Sequence, residues 1–436
     1  MNVHLRYCLQ QAMLWGAFGL VLPVVTLFLL RSRFSLFEIG LYAALFSLST
    51  IACELPFGAL ADRVGRIRTY RASLMMNCVG CLLMLAFSQK PMLYLAAASF
   101  GVARAMSSGT IDAWYVELLR NSGDTRGVPY RLGFAELAGA LGLAGMSLIG
   151  GMLPDWIGVL LFDNPYRVGL AFAGTLFLAL VAVTPRFFPE PEHRPLSVEP
   201  PSARPRRLLA DLRELVVFAA KRGAVRPLIL LCMLLGGVVS MLESYWPVVL
   251  KTLVPEHGTT WAFGLFLTLM LVIKGAGGWA AYRVMQWCER RPGLAITLPF
   301  AGLAASLVLT RWIGHVATLG LLLAAASLCL GIAGVVVNAV MHHRTPDSLR
   351  SRALSFFSLV FQLGSMIASI LLGYLIGQWG VLPVWSAVGL VIALATAYSL
   401  SIGNWSTEPA SDIAAQRLLT AAPSPSFHQS HPGEPE

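Results

Sequence analysis

The chain alternates long apolar runs with short polar connections, and twelve of these runs are close to the length of a membrane-spanning helix. Such a helix needs about 20 mostly apolar residues. Inside a bilayer the backbone N–H and C=O groups must bond to one another, which only helices and closed barrels achieve. We therefore predict an all-α membrane protein whose twelve transmembrane helices, called spans 1 to 12, lie at residues 7–30, 37–60, 70–88, 92–117, 130–153, 166–184, 227–250, 261–282, 294–311, 316–341, 353–377 and 381–403.

Composition and charge agree with this pattern. The chain is 56% hydrophobic and 12% charged, whereas soluble domains carry about 25% charged residues, so a water-soluble globule is excluded. Of the 32 Lys and Arg residues, 24 fall in the loops on the side of the N-terminus and 6 in the opposite loops. Cytoplasmic loops carry such an excess. We predict a multi-pass protein of the cell (inner or plasma) membrane with both termini cytoplasmic. The lipid bilayer is then the partner, and the net charge of +10 requires no nucleic acid.

Residues 185–226 interrupt the series of spans with many Pro and charged residues. Such a composition cannot pack a core and is typical of a linker. In its second part Leu208, Leu212 and Leu215 share one stripe, which predicts an amphipathic helix on the cytoplasmic membrane surface. The chain is thus divided into a six-helix bundle at 1–184, the linker, a second six-helix bundle at 227–403 and a disordered cytoplasmic tail at 404–436.

The two bundles share landmarks at one offset. Pro23-Val-Val recurs at Pro247, and Gly40-Leu-Tyr recurs as Gly264-Leu-Phe, both shifted by 224 positions. This spacing predicts two pseudo-symmetric halves, an arrangement that many transporters use. We expect Pro247 to break span 7. The glycines of span 5 allow close helix approach, and we expect them to form an interface between the halves.

Residues 58–71 connect spans 2 and 3 and read Gly-Ala-Leu-Ala-Asp-Arg-Val-Gly-Arg-Ile-Arg-Thr-Tyr-Arg. This run resembles the loop between the second and third helices of the major facilitator superfamily (MFS), which is close to G-x-L-A-D-R-x-G-R-[RK]. Ile67 replaces the usual basic residue, and Arg68 restores the charge one place later. The resemblance implies two six-helix bundles around a central cavity that binds a small-molecule substrate. It also implies a gating motif of Gly58, Asp62, Arg63, Gly65 and Arg66.

Charged side chains deep within the spans are the strongest functional candidates, because each costs about 3 kcal/mol or more at mid-bilayer. They are Glu54, Arg104, Asp112, Glu136, Glu243 and Lys274. Arg104 lies near the midplane and keeps its proton, so we expect a carboxylate or a polar cavity beside it. The alternatives are a helix-packing salt bridge for Arg104 and, for Glu136, simple balance of Arg126 or Arg131.

Two further arguments complete the predicted coupling and substrate pathway. Glu54 and Lys274 each precede an equivalent glycine by four residues, which indicates either a salt bridge or a titrating coupling site. Glu243 lies near Tyr245 and Trp246, so it is either a cation or proton site or a wetted residue at the outer mouth. Asn338 is added as a polar group in span 10.

The expected transport chemistry follows from a second, looser resemblance. In the superfamily a span 4 pattern like R-x-x-x-G carries an Arg that serves proton coupling; here Gly109 follows Arg104 one position late. The segments 54–58 and 108–115 resemble bacterial multidrug and antibiotic exporters. This resemblance implies proton-coupled efflux of a small amphiphilic drug or metabolite by alternating access, with protons as the coupling ion. We expect the chain to act as a monomer.

Other function classes receive less support. The Gly-Pro pair of proton-antiporting exporters is missing from span 5, which favours the alternative of uptake or exchange of a metabolite or lipid without proton antiport. We find no phosphate-binding loop, no Ser/His/Asp cluster and no large soluble module, so neither an enzyme nor a sensor is expected. No cofactor or metal is expected; Cys78 and Cys81 are interpreted as core residues, and adjacent His342 and His343 as unsuited to joint ligation.

Overall fold

A computed structural model describes residues 3–121, 127–189, 225–255, 258–288, 292–344 and 350–402, and within these ranges the protein is helical without β-strands. The predicted amphipathic helix at 206–222 and the tail at 404–436 lie outside the described residues. The α-helices are α1 (Val3–Gly19), α2 (Val25–Arg31), α3 (Leu36–Val64), α4 (Arg66–Ala86), α5 (Lys90–Ser107), α6 (Ile111–Asn121), α7 (Val128–Leu153), α8 (Val159–Leu161), α9 (Arg167–Phe187), α10 (Val225–Leu253), α11 (Thr260–Trp287), α12 (Pro292–Leu309), α13 (Val316–Arg344), α14 (Arg350–Trp379) and α15 (Val381–Ile402).

Ten of the described helical segments are long and apolar enough to cross a membrane. The other two crossings each consist of two helices in series, α1 with α2 and α5 with α6. The fold therefore confirms twelve crossings, and the face on which α1 begins and α15 ends is called the terminal face here. The other side is called the opposite face. A π-helix at Pro154–Gly158 and a 3₁₀ turn at Thr310–Trp312 extend two crossings toward the opposite face.

The prediction of unbroken helices was wrong for spans 1 and 4. Residues 20–24 form a turn around Pro23, which lacks the N–H that a continuous helix needs. Span 4 stops at Ser107 and restarts at Ile111, because Gly109 adopts a φ of +67° that residues with a Cβ rarely accept. The second break separates Arg104 from Asp112, so the two charges lie on differently directed helices.

The predicted break at Pro247 was also wrong, since α10 continues through this residue to Leu253. Proline has no N–H, so the carbonyl of Glu243 one turn earlier receives no bond from residue 247. Membrane helices tolerate this loss where neighbouring helices support the backbone. Here the flanking Tyr245 and Trp246 are packed to 1% and 2% exposure, which holds the helix together across the proline.

The two halves meet at a pair of related helix crossings. A Cβ on Gly40 of α3 would approach the Ser369 carbonyl of α14 to less than 3.0 Å. A Cβ on Gly264 of α11 would approach the Ser147 carbonyl of α7 equally closely. Because Gly40 and Gly264 are the glycines related by the 224-residue offset, the structure supports the pseudo-symmetry that the sequence predicts.

The glycines of α7 serve mainly the first half itself. Gly142 lies directly against α1 at Ala12, Gly150 lies against the end of α1 and Leu20, and only Gly151 of this series reaches the second half, at Gly264. The prediction that the whole series forms an interface between the halves was therefore wrong. Small residues let α1 and α7 touch along their length, which brings the functional side chains of both helices together.

Hydrogen bonds join the halves from mid-membrane to the opposite face. They connect Thr26 with the Ser244 carbonyl, Tyr245 with the Leu36 carbonyl, Ser47 with Ser365, Thr268 with the Ala144 carbonyl, and Asp155 with the Thr260 N–H. Since the halves are held together on this side, the charged side chains nearer the terminal face border the space between them.

Candidate functional site

Arg104 is the centre of a charged cluster in the first half. It lies 14 residues into α5, about 21 Å from the opposite face. The carboxylates of Glu54 on α3 and Glu136 on α7 both interact electrostatically with its guanidinium, and Glu136 also interacts with Asp112. The guanidinium lies over the Trp15 ring at 6.0 Å from the ring centroid. The expected carboxylates beside Arg104 are therefore present, contributed by several helices.

Close helix packing explains this convergence. Gly101 allows α5 to pack directly on the Phe46 carbonyl of α3, and Thr50 donates a 3.2 Å hydrogen bond to the Gly101 carbonyl. Glu54 follows Thr50 by one turn, and Arg104 follows Gly101 by three residues, so the contact sets both side chains at one level. On the other side Gly139 of α7 packs against Trp15, one turn beyond Glu136.

The Arg104 cluster is not a compact salt bridge. The described residues contain two ion pairs within 4 Å, Arg66 with Glu117 and Lys90 with Glu38, and neither involves Arg104. One carboxylate oxygen of Glu54 is buried and has no hydrogen-bond partner in the described part of the chain. The side chains of Arg104, Asp112 and Glu136 are exposed. Charges that converge from several helices yet remain exposed are not sealed within the packed core, which argues against a purely structural salt bridge.

Asp112 has its own set of partners on α1. It accepts hydrogen bonds from the Tyr7 hydroxyl and, at 3.0 Å, from the Gln11 side-chain amide. Tyr7 stacks on Tyr115 with a centroid separation of 4.0 Å, and His4 lies 2.6 Å from the Tyr115 hydroxyl. A hydrogen-bonded and stacked series thus leads from the terminal end of α1 to Asp112.

The second half contributes a separate pair of charges. Glu243 lies about 15 Å from the opposite end of α10 and has an exposed side chain. It interacts electrostatically with Lys274 of α11 without an ion pair within 4 Å. Glu54 therefore interacts with Arg104 and Lys274 with Glu243, each within its own half, and the described contacts do not join Glu54 to Lys274 directly.

The neutral pathway candidates occupy different positions. Tyr245 is buried and donates a 2.8 Å hydrogen bond to the Leu36 carbonyl. Trp246 is buried in a stack with Phe266 at 6.3 Å. Both residues support the wall behind Glu243. Asn338 on α13 is exposed, and its amide donates 2.9 Å to the Gly334 carbonyl of its own helix.

The gating motif forms a one-residue break between two helices. Gly65 ends α3 and precedes α4 with a φ of +114°, a conformation that favours glycine. Asp62 and Arg63 are exposed in the last turn of α3, and a Cβ on Gly58 would meet nothing within 4 Å. Arg66 pairs at 2.8 Å with Glu117 of α6. This partner, which the sequence analysis missed, links the motif to the helix that carries Asp112.

The described residues contain no group of three or more His, Cys, Asp or Glu suited to a metal ion. Cys78 and Cys81 are free thiols within α4. The side chains of His342 and His343 are outside what the structure describes.

The fold and the charged side chains within its helices define a multi-pass membrane transporter. Residues 7–285 match the sequence model of the Major Facilitator Superfamily, so the chain belongs to this family. No curated protein sequence matches the chain.

Solved structures of transporters share the fold. A mutant of the nucleoside transporter NupG superposes with a TM-score of 0.75 at 12% identity, covering 92% of this chain and 100% of that one. A bacterial homolog of the human lysosomal transporter Spinster, inward-facing and unoccupied, gives 0.75 at 12% identity over 93% and 98%. A mutant of the peptide transporter POT in complex with sulfate gives 0.69 at 12% identity over 92% and 94%. At this identity the likeness concerns the fold.

Proposed function

We propose that this protein exports a small amphiphilic cation across the cell membrane in exchange for protons, acting as a monomer. One observation carries the proposal: the six charged candidates deep within the spans are four carboxylates and two basic groups, an excess of two negative charges. A transporter site for an anion or a neutral solute has no need of this excess, because each buried charge is costly.

The arrangement of the acids favours a cation over internal neutralisation. Arg104 interacts with Glu54 and Glu136, yet neither carboxylate forms an ion pair with it within 4 Å. Asp112 is held by the neutral donors Tyr7 and Gln11. Two acids of this cluster are therefore left without a basic partner of their own. The Trp15 ring adds an aromatic face, which attracts organic cations.

Proton exchange follows from the same groups. Glu54 has a buried oxygen without a hydrogen-bond donor, a position where a bound proton is easily accommodated. A carboxylate can hold either a proton or a substrate cation, and burial makes it unfavourable to hold neither. Competition for the same acids couples the two movements in opposite directions. The polar groups of His4, Tyr115 and Tyr7 lie between the terminal end of α1 and Asp112, on the proposed route of these protons.

The orientation of the protein in the membrane rests on the distribution of basic residues. The terminal face carries most of the Lys and Arg, so we assign it to the cytoplasm. The halves are joined toward the opposite face, which leaves the charged cluster accessible from the cytoplasm. In this scheme Arg63 and Arg66 control the opening of the cytoplasmic entrance. Asp62 accepts hydrogen bonds from a helix end of the second half. Replacement of Asp62 by Asn should then slow transport.

Vesicles with purified protein and an imposed pH gradient test the proposal. A fluorescent amphiphilic cation is loaded inside, and a neutral amphiphile of similar size serves as the matched probe. Acid outside should accelerate loss of the cation and leave the neutral probe unaffected. Asp163→Asn, a change at an exposed turn, is the control variant. Equal loss with and without the gradient would refute proton exchange.

Uptake or exchange without proton antiport is the second candidate. The absence of the Gly-Pro pair from span 5 favours it, and NupG, which shares the fold, is described as a nucleoside transporter. Counterflow of a labelled nucleoside at a rate that does not depend on the pH gradient would support this alternative. No nucleotide or metal cofactor enters either scheme.

A further inference from the structure

The opposite face contains a helix cap that crosses between the halves. The backbone N–H of Thr260, in the first turn of α11, donates a 2.9 Å hydrogen bond to a carboxylate oxygen of Asp155. Asp155 belongs to the π-helix that follows α7, so donor and acceptor come from different halves of the protein. The proposed transport scheme makes no use of this contact.

The helix α11 has no cap of its own. Its N-cap residue is Thr259, a type that usually accepts a hydrogen bond from the first turn. Here the Thr259 hydroxyl instead donates 2.7 Å to the Pro255 carbonyl, and no side-chain cap is formed. Asp155 therefore supplies, from the other half, an acceptor for the first N–H of α11. As a carboxylate at the positive end of a 28-residue helix, it also gains from the helix dipole.

The backbone around Asp155 is shaped for this contact. Pro154–Gly158 is a π-helix, a rare form that is frequent at functional sites. The preceding turn contains Gly151, which lies against Gly264 and brings the ends of α7 and α11 together. Without that close approach a short Asp side chain could not reach the first turn of α11.

Other charged groups of the same surface surround the contact. Burial raises the pKa of the Tyr166 phenol; the carboxylate of Asp155 adds to this rise and Arg31 opposes it. Arg31 in turn donates 2.9 Å to the Asp163 carbonyl. Asp155 thus lies within a polar cluster that closes the opposite face of the first half.

We infer that Asp155 is a gating residue of the transport cycle, which locks the opposite face by capping α11 of the other half. The bond exists only while the halves are together on that face, so its energy favours the state open to the terminal face. Opening the opposite face breaks the cap and leaves the first turn of α11 to water. A capping carboxylate changes such an equilibrium by roughly five- to thirtyfold.

Spin labels on exposed turns measure the population of the two states in the full-length protein. Labels at Ser88 and Arg311 report the opposite face, and labels at Arg186 and Trp287 report the terminal face; all four side chains are exposed. Asp155→Ala should shift the populations toward an open opposite face by roughly five- to thirtyfold. Asp155→Asn should shift them less, because Asn is nearly as good a cap as Asp. Asp163→Ala, an acid of the same surface whose backbone alone makes a described contact, should change nothing.

A second variant separates gating from mere stabilisation of α11. Thr259→Asp places a cap within α11 itself, so the Asp155→Ala/Thr259→Asp double variant should recover the thermal stability of the wild type. It should not recover the wild-type populations, because its cap no longer joins the halves. The inference is wrong if Asp155→Ala leaves both distance distributions unchanged, or if Thr259→Asp restores the populations as well as the stability. Either result leaves the proposed cation export untouched.

Discussion

Tyr245 of α10 donates a 2.8 Å hydrogen bond to the Leu36 carbonyl at the start of α3, so a buried phenol joins the two halves. The same carbonyl lies one turn before Gly40, where α3 meets α14. Tyr245 therefore lies beside a close approach of the halves, and its place in the substrate pathway stays a prediction.

Removing this hydroxyl should loosen the opposite face. Tyr245→Phe keeps the ring and loses one hydrogen bond, which is worth about 1 kcal/mol. We expect the population with an open opposite face to rise by roughly fivefold, measured with the Ser88 and Arg311 labels. Tyr398→Phe is the control, since Tyr398 is 54% exposed on α15. Equal effects of the two variants would contradict a role for the bond.

The two glycine crossings should be sensitive to a single methyl group. Gly40→Ala and Gly264→Ala place a Cβ against the carbonyls of Ser369 and Ser147, so the halves cannot close as they do now. Overpacking of this kind costs about 1 to 3 kcal/mol. We expect lower thermal stability and slower transport in vesicles.

A glycine of the same helix series provides the control for these variants. A Cβ on Gly145 of α7 would meet nothing within 4 Å. Gly145→Ala should stabilise the helix by about 0.8 kcal/mol, because Ala has the higher helix propensity. If Gly145→Ala harms the protein as much as Gly264→Ala, the crossing does not explain the effect.

The acids around Arg104 should determine cation affinity. Glu136→Gln and Glu54→Gln each remove one negative charge while keeping side-chain size. We expect each to weaken binding of an amphiphilic cation about tenfold, or about 1.4 kcal/mol, with little effect on a neutral analogue. Isothermal titration with both probes measures the difference. Equal losses for cation and neutral analogue would show a change of structure and not of charge.

Arg66 and Glu117 should matter more for transport than for stability. Their side chains are 33% and 60% exposed, and exposed ion pairs contribute about 0 to 1 kcal/mol. A double-mutant cycle with Arg66→Ala and Glu117→Ala should give a coupling energy in this range in thermal unfolding. The transport rate should fall severalfold in each single variant. Loss of stability that fully accounts for the lost transport would argue against gating.

The sequence predicted the architecture because a lipid bilayer permits few backbone structures. Apolar length specified the twelve crossings, and the offset from Gly40 to Gly264 predicted the symmetry that their packing displays. Local breaks in the helices were harder to predict from the sequence. Pro23 interrupts its crossing and Pro247 does not, although Val-Val follows both prolines. The difference arises from packing of Tyr245 and Trp246, which no pattern in a single chain specifies.

The candidate site was likewise predicted only in part from the sequence. The six charges were apparent from their cost in the membrane, but their partners depended on which helices touch. Tyr7 and Gln11 share one face of α1, a polar spacing within an apolar run that could have indicated a ligand for Asp112. Nothing in the sequence distinguishes Glu117 from other acids near helix ends. Its pairing with Arg66 is apparent only from the structure.

The uninterrupted course of α10 through Pro247 affects the local electrostatic potential. The Glu243 carbonyl keeps its dipole but has no N–H from residue 247 to satisfy it, next to a side chain that is itself an acid. Even when Lys274 balances that acid, this turn still offers negative potential to whatever water or cargo reaches it. The second half therefore attracts positive charge by its backbone alone, and titration of its side chains cannot switch that attraction off.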